Sequence, residues 1–314
     1  MPEMDVFDGH CDTVLKCCLE GGGFGRNPYH VDLERGRAFG RYAQFFALFG
    51  QPEDFPGLTP RETFEREYAL FSREMEANSA IITHCRSGEE AEAAFAAGKM
   101  AAFLSVEGAE LLDCSLERLE EAHALGVRAV NPTWNRANAL GGTNAEDVDR
   151  GLTDQGKAFV RRAEELGVLV DVSHLSDPGF WDVADTLSGP FFASHSDSRA
   201  VFSHPRNLTD AQFTAIIEHN GVAGLNLFAE FVGGEADLEA IAAHLDHWLE
   251  LGGEQNIALG GDLDGCSPLA GSMAGVQDYE RLYHFLRSRG YSQALLQDLF
   301  FNNLMRVVSK VCTM

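Results

Sequence analysis

Five short segments, far apart in the chain, each close an apolar run with a side chain able to hold a metal ion or accept a proton. They are Asp8-Gly9-His10-Cys11-Asp12, Val106-Glu107-Gly108, Asp171-Val172-Ser173-His174, Ala193-Ser194-His195-Ser196 and Gly261-Asp262-Leu263-Asp264-Gly265. Neutral imidazole and carboxylate are ordinary ligands of zinc. His10 and Asp12 lie two residues apart after the first apolar run, so strand alternation sends both toward one side and one ion. Glu107, after Ala102-Phe103-Leu104-Ser105-Val106, would be a costly bare charge at the end of a buried strand and needs a cationic partner. A metal, or two metals bridged by this carboxylate, meets that need. His174 and His195 each read singly as a satisfied histidine near a helix start, but jointly with Glu107 they form a ligand set. Asp262 follows two glycines that allow a ligand close to the backbone. A carboxylate beside a metal-activated water can take its proton and later return it to a leaving amine. Asp262 and Asp264 lack the further acidic ligands of an EF-hand loop, which argues against a calcium site. The chemistry this set can perform is metal-assisted hydrolysis.

Segments so widely spaced meet only if the fold gathers the ends of their strands. Short β-rich runs at residues 5–7, 42–49, 100–106, 127–132, 168–172, 191–193, 222–227 and 257–259 alternate with helical patterns. About eight such runs predict an α/β fold, a (β/α)8 TIM barrel of the metal-dependent hydrolase type. Their apolar character suits parallel strands buried on both faces. Helices are predicted over 154–166, capped by Thr153 and ended by Gly167, and over 116–125, ended by Gly126. Others are predicted over 208–219, 238–251, 278–289 and 292–311. Residues 21–41, with Gly21-Gly22-Gly23, Gly25 and Pro28, read as a long loop after the first strand, placed over the barrel mouth where it could shape access.

Composition bounds the partners. A chain of 314 residues, 45% hydrophobic and without a low-complexity linker, is expected to form one domain over residues 1–314. A formal net charge of -24 argues against nucleic acid and anionic membranes as partners, since both would repel the average surface. The seven cysteines form no Cys-x-x-Cys pair, which argues against both a zinc ribbon and a disulfide scaffold. The first residues lack a basic and apolar leader pattern, and no run of about 18 apolar residues occurs. A cytoplasmic location with reduced thiols is the expectation.

Taken in order, these segments resemble the renal (membrane) dipeptidase family, the M19 metallopeptidases of the amidohydrolase superfamily. The likeness spans nearly the whole chain and includes Gly151-Leu152-Thr153-Asp154-Gln155-Gly156 and Arg206-Asn207. It implies two zinc ions per chain, or other divalent metals in their place. His10, Asp12 and Glu107 would hold one ion and Glu107, His174 and His195 the other, with Glu107 as the bridge. It further implies a hydroxide between the metals that attacks the peptide carbonyl, Asp262 as the group that handles the proton, and Arg206 as the clamp on the C-terminal carboxylate of a small dipeptide. The stereochemistry implied includes L,D as well as L,L dipeptides, and the family implies a homodimer.

Three positions depart from the family pattern. Trp134, in Val130-Asn131-Pro132-Thr133-Trp134-Asn135, stands where well-studied members carry a histidine that contacts the substrate carbonyl. An indole offers one N–H donor and does not titrate, so it would orient substrate or act as an apolar lid. Cys11 replaces an asparagine between the first two ligands and is expected to pack into the barrel wall. Gly108-Ala109-Glu110 lacks the histidine that commonly follows the bridging glutamate. The main reading is therefore a zinc dipeptidase. Hydrolysis of an N-acyl amino acid or lactone on the same core, and a metal-stabilised binding protein without turnover, are the alternatives. Glu107 as bridge, with no strand-end lysine to carboxylate, favours the first.

Overall fold

The computed structural model describes residues 4–313. Nine strands run parallel: β1 (Val6–Cys11), β2 (Tyr42–Leu48), β3 (Ile82–His84), β4 (Met100–Glu107), β5 (Val127–Asn131), β6 (Leu169–Val170), β7 (Phe192–Ala193), β8 (Val222–Leu225) and β9 (Ile257–Leu259). Eight of them follow the order β6-β5-β4-β2-β1-β9-β8-β7. The two ends of this path meet through one parallel bridge, Asp171 to Phe192, where the Val172 N–H donates to the Phe192 carbonyl at 2.9 Å. The product is a nearly closed eight-stranded parallel barrel with flanking helices, the (β/α)8 architecture that the alternating pattern predicts.

The ninth strand was not anticipated. β3 pairs with the first half of β4 and lies off the barrel path, while β5 takes the second half of the same edge. Three residues, two of them Thr83 and His84, make too short and polar a run to be read as a buried strand. β1 also extends past the expected 5–7. Its register with β2 shifts between Asp8 and Cys11, so that three steps of β1 match two of β2. His10 therefore lies within the strand, and Asp12 sits at the start of the helix Thr13–Glu20. The two side chains meet through this irregularity and the turn after it, not through plain alternation.

Several helices begin where local chemistry dictates. Thr153 accepts from the Gly156 N–H at 3.0 Å and caps Asp154–Leu166, and Gly167 ends it in the left-handed region. Pro60–Ala77 opens on a capping box formed by Thr59 and Glu62, a signal present in Thr59-Pro60-Arg61-Glu62 but not exploited in the sequence reading. The helix expected over 292–311 is interrupted: Gln293–Gln297 and Asn303–Val311 flank a π turn at Asp298–Asn302. Residues 21–41 follow the unpredicted helix Thr13–Glu20 and contain the short helix Leu33–Gly36. No described helix is long and apolar enough to cross a membrane.

Toward the N-terminal ends of the strands the barrel is filled by phenyl rings. Phe7 stacks on Phe45 and Phe103 at centroid distances of 5.7 and 5.4 Å, and Phe301 closes against Phe7 at 6.1 Å. Each such pair contributes about 0.5–1.5 kcal/mol beyond its area burial. The opposite half has no room for bulk. A Cβ at Gly224 or Gly260 would overlap the carbonyl oxygen of Ser194, because three backbones converge there. Gly260→Ala is accordingly expected to cost more than about 3 kcal/mol, read as a lowered midpoint in urea unfolding; an unchanged midpoint would show that the strands can part without penalty.

Candidate metal centre

Each proposed ligand lies near the C-terminal end of a strand or a few residues past it, and the barrel brings these ends to one place. Glu107 is the last residue of β4, and Gly108, at φ +93°, turns the chain away at once. Its Oε1 lies 2.9 Å from His174 Nε2, 3.4 Å from His195 Nε2 and 3.6 Å from His10 Nε2. His10 Nε2 is in turn 3.3 Å from Asp12 Oδ2. The ligand atoms of His10, Glu107 and His195 form one group within 4.8 Å of one another, and those of His10, Asp12 and Asp262 form a second. All five sequence-predicted ligands are thus brought together and buried, and Asp262 joins them.

The hydrogen bonds fix which atoms face inward. His174 Nδ1 lies 2.9 Å from Asn135 Oδ1, an acceptor only, so Nδ1 carries the proton and Nε2 the lone pair. Arg206, which has only donors, reaches the same Nε2 at 3.3 Å and agrees with that tautomer. His195 Nδ1 lies 2.6 Å from Ser194 Oγ, whose own proton goes to Asp171. His195 Nδ1 must therefore donate, and its Nε2 also presents a lone pair. The two Nε2 atoms stand 3.0 Å apart, beside the Glu107 carboxylate. Two imidazole lone pairs aimed at one buried carboxyl group form a donor set built for a cation. Asp12 Oδ1, buried and without a hydrogen-bond partner, adds an uncommitted ligand atom.

Electrostatics point the same way. Burial works against a charged His10, yet the carboxylates of Glu107, Asp12 and Asp262 override it and push its pKa up to about 10. Burial drives Glu107 well above the usual carboxylate range against the pull of His10, with Asp12 and Asp262 adding to the rise. His174 and His195 are held well below the usual imidazole range by burial and by the charges of Arg206 and His10. Protons therefore do part of the work of a cation in the metal-free cluster.

Asp262 sits at φ +54°, a conformation aspartate tolerates better than most residues. Asn226 Nδ2 donates to its Oδ2 at 3.2 Å and so sets the plane of the carboxylate. A Cβ at Gly265 would overlap both Asp12 Oδ2 and Asp262 Oδ1, which makes that glycine a requirement of the site. Asp264 accepts from Thr13 Oγ1 and from the His30 N–H, each at 2.6 Å. Residues 21–41 thus brace the Asp264 turn. None of them borders the cavity itself, so their observed contact with the site is this bracing.

That cavity holds about 490 Å³. Asp12, Glu107, His174, His195 and Asp262 form its polar floor, while Phe49, Trp134, Phe228 and Phe231 are among its walls. Trp134 packs on Phe49 at 4.8 Å and lies 6.1 Å from the His174 ring, so its indole is an aromatic wall of the site. Arg206 is buried, with its guanidinium 5.2 Å over the Phe231 ring and donating to the Ser173 carbonyl. Cys11 packs in the core, as expected.

Residues 1–314 match the membrane dipeptidase family, peptidase family M19. The chain belongs to this family. An uncharacterised Klebsiella pneumoniae protein from the pqqA 5' region is 31% identical over 264 residues, covering 80% of this chain and 97% of its own length. Dipeptidase tcpJ of Claviceps purpurea is 27% identical over 295 residues, covering 90% of this chain and 69% of its own. A crystal structure of a Rhodobacter sphaeroides metallopeptidase, liganded with a phosphinate mimic of the dipeptide L-Ala-D-Ala, superposes with a TM-score of 0.87 at 27% identity and covers 98% of this chain and 99% of that one. M19 membership accounts for the order of the motifs along the chain.

Asp8, Asn135, Asp171, Ser194 and Gly265 stand within the motifs of the sequence but carry no supporting role there, and Asn226 is not among them. Asp8 accepts from the His10 and Gly261 N–H groups at 2.8 and 3.0 Å and so ties β1 to the turn after β9. Asn226 does carry a legible signal, a polar residue inside the apolar run 222–227, but it lacks the charge that made Glu107 conspicuous.

Because His10 is protonated below about 10 in the metal-free cluster, a divalent ion must displace that proton to bind. Affinity should therefore rise with pH, by about tenfold per unit for each proton displaced. Calorimetric zinc titration at pH 7.5 in two buffers of different ionisation enthalpy should show net proton release; zero release would contradict this charge assignment.

Proposed function

We propose that this M19 protein is a zinc-dependent dipeptidase with a binuclear centre, acting on L,L and L,D dipeptides. The observation that carries the reading is the place of Arg206. Its Nη2 lies 3.3 Å from the inward-facing nitrogen of His174, so a carboxylate held by this guanidinium would lie within about one residue of a carbonyl at the metal ligands. That spacing suits the C-terminal residue of a dipeptide. The L-Ala-D-Ala mimic in the Rhodobacter sphaeroides relative is the reason for including a D residue on that side.

In this reading His10, Asp12 and Glu107 hold one ion and Glu107, His174 and His195 hold the other. Bound there, the ions supply Lewis acidity and an activated water. The chain's own residues do the rest. Arg206 binds the terminal carboxylate in the bidentate manner that guanidinium geometry favours. Asp262, oriented by Asn226, takes the proton of the attacking water and returns it to the departing amine. Trp134 and Phe49 enclose the substrate and exclude solvent. A cavity of about 490 Å³ matches a small ligand of this size. Trp134 also borders a second, smaller cavity of about 210 Å³, so the indole limits the room available to a substrate side chain.

Zinc-reconstituted protein should cleave L,L and L,D dipeptides saturably, with loss on chelation, and should leave N-acetyl amino acids and lactones untouched. Turnover of only those controls would move the substrate class. Asp262→Asn should keep both ions and lower kcat by about 10²–10⁴-fold; loss of one ion by metal analysis would place Asp262 among the ligands instead. Trp134→Ala should raise the ratio of kcat/KM for dipeptides with bulky side chains over Ala-Ala, and an unchanged ratio would show that the indole does not set substrate size.

A further inference from the structure

We infer that Asp171 is the positioning residue of the metal centre: one buried carboxylate that sets the inward-facing nitrogen of His195, fixes the turn carrying His174 and steadies Arg206. The inference rests on the metal-binding reading above but not on any particular substrate. Asp171 lies just beyond β6 and is buried, and none of the described residues forms an ion pair with it. Its oxygens serve as acceptors instead. Oδ1 takes the Ser173 N–H at 3.0 Å, the Ser173 hydroxyl at 2.6 Å and the Ser194 N–H at 3.0 Å, and Oδ2 takes the Ser194 hydroxyl.

These four donors belong to two different strand ends. Ser173 precedes the ligand His174, and Ser194 precedes the ligand His195. The same place is the barrel's weakest seam, where β6 and β7 join through the single bridge from Asp171 to Phe192. The carboxylate therefore reinforces a seam that two-residue strands hold by little backbone pairing.

Proton accounting carries the argument to the metal. Ser194 Oγ has one hydrogen, and a carboxylate can only accept it. His195 Nδ1, 2.6 Å from that oxygen, is left to donate, which leaves Nε2 bare toward Glu107. Ser173 Oγ, committed to Asp171 in the same way, accepts the His195 N–H at 3.2 Å. The Ser173 carbonyl then accepts from Arg206 and, at 3.3 Å, from Asn144 Nδ2. A chain of carboxylate, hydroxyl and imidazole thus orients one ligand, while the turn built on the same carboxylate presents a second ligand and the guanidinium. Partners of this kind typically change metal affinity by about 10–100-fold when removed.

The test separates positioning from mere support of the seam. Ser194→Ala removes the link to His195 and leaves both backbone bonds to Asp171 in place; Ser194→Thr keeps the hydroxyl. Zinc affinity would be measured by competition with a chromophoric chelator on metal-free protein, with cobalt absorption spectra to report ligand geometry and thermal melting of the metal-free forms to report folding. Ser194→Ala is expected to melt near the wild-type temperature, to bind one of its two ions about 10–100-fold more weakly and to show an altered cobalt spectrum. Ser194→Thr should recover the wild-type affinity and spectrum. Asp171→Asn should weaken the same ion at least as much, and if that variant fails to fold, the two Ser194 variants still decide. Wild-type affinity and an unchanged cobalt spectrum in Ser194→Ala would overturn the proposal. A wild-type protein that binds no zinc would overturn the metal reading itself, whereas zinc binding without dipeptide cleavage would leave the role of Asp171 standing and remove only the substrate assignment.

Discussion

The structure turns on one electrostatic demand: Glu107 Oε1 stands within 3.6 Å of the Nε2 atoms of three histidines, in a place from which water is largely removed. Removing one carboxylate from water costs several kcal/mol, and an uncompensated one is not retained. Ion pairing relieves this cluster only in part, through His10, because His174 and His195 point lone pairs at the carboxylate rather than protons. A divalent cation satisfies all the acceptors at once. The outer hydrogen bonds, from Asn135, Ser194 and Asn226, make sense as devices that keep those lone pairs and carboxylate planes aimed inward.

Such aim needs a stiff frame. A parallel barrel delivers strand ends to one mouth, and the two halves of this one are packed differently. Below the site, phenyl rings of Phe7, Phe45 and Phe103 fill the interior. Above them, Gly224 and Gly260 let backbones close around the Ser194 carbonyl, which draws β7, β8 and β9 together and brings His195 and Asp262 toward the centre. The resulting floor is crowded and polar, while the walls from Phe49, Trp134, Phe228 and Phe231 are aromatic. On the dipeptidase reading proposed above, a small polar substrate would set its charged ends at the floor and its side chains against the walls.

The chain's acidity takes a different meaning in this light. The formal charge of -24 is spread over the whole molecule, but the part that matters lies in Asp12, Glu107 and Asp262, where two divalent ions would reverse its sign. Arg206 is the cation the fold itself brings to that place, buried and in reach of His174.

Much of this was legible in residue order. Apolar runs ending in His10, Glu107, His174, His195 and Asp262 carry the expense of a buried polar group in their own pattern, and such expense is explained only by a shared partner. The alternation of strands and capped helices likewise specifies a barrel, because caps, glycine stops and apolar runs are local chemistry. What the sequence could not decide is which neutral or distant groups do the aiming. Asn135 and Asn226 look like loop polars until tertiary contact puts an amide against His174 or Asp262, and Asp171 reads as part of a motif, not as the tie between two strand ends. β3 escaped because three half-polar residues have no pattern of their own and form a strand only when β4 offers an edge. The irregularity that lets His10 and Asp12 meet, and the bracing of Asp264 by residues 21–41, depend on register and packing between segments tens to hundreds of residues apart in sequence. The sequence determined the chemistry available and the kind of scaffold that could assemble it; the tertiary structure alone decided the tautomers, planes and contacts, since these arise from atoms that become neighbours only on folding.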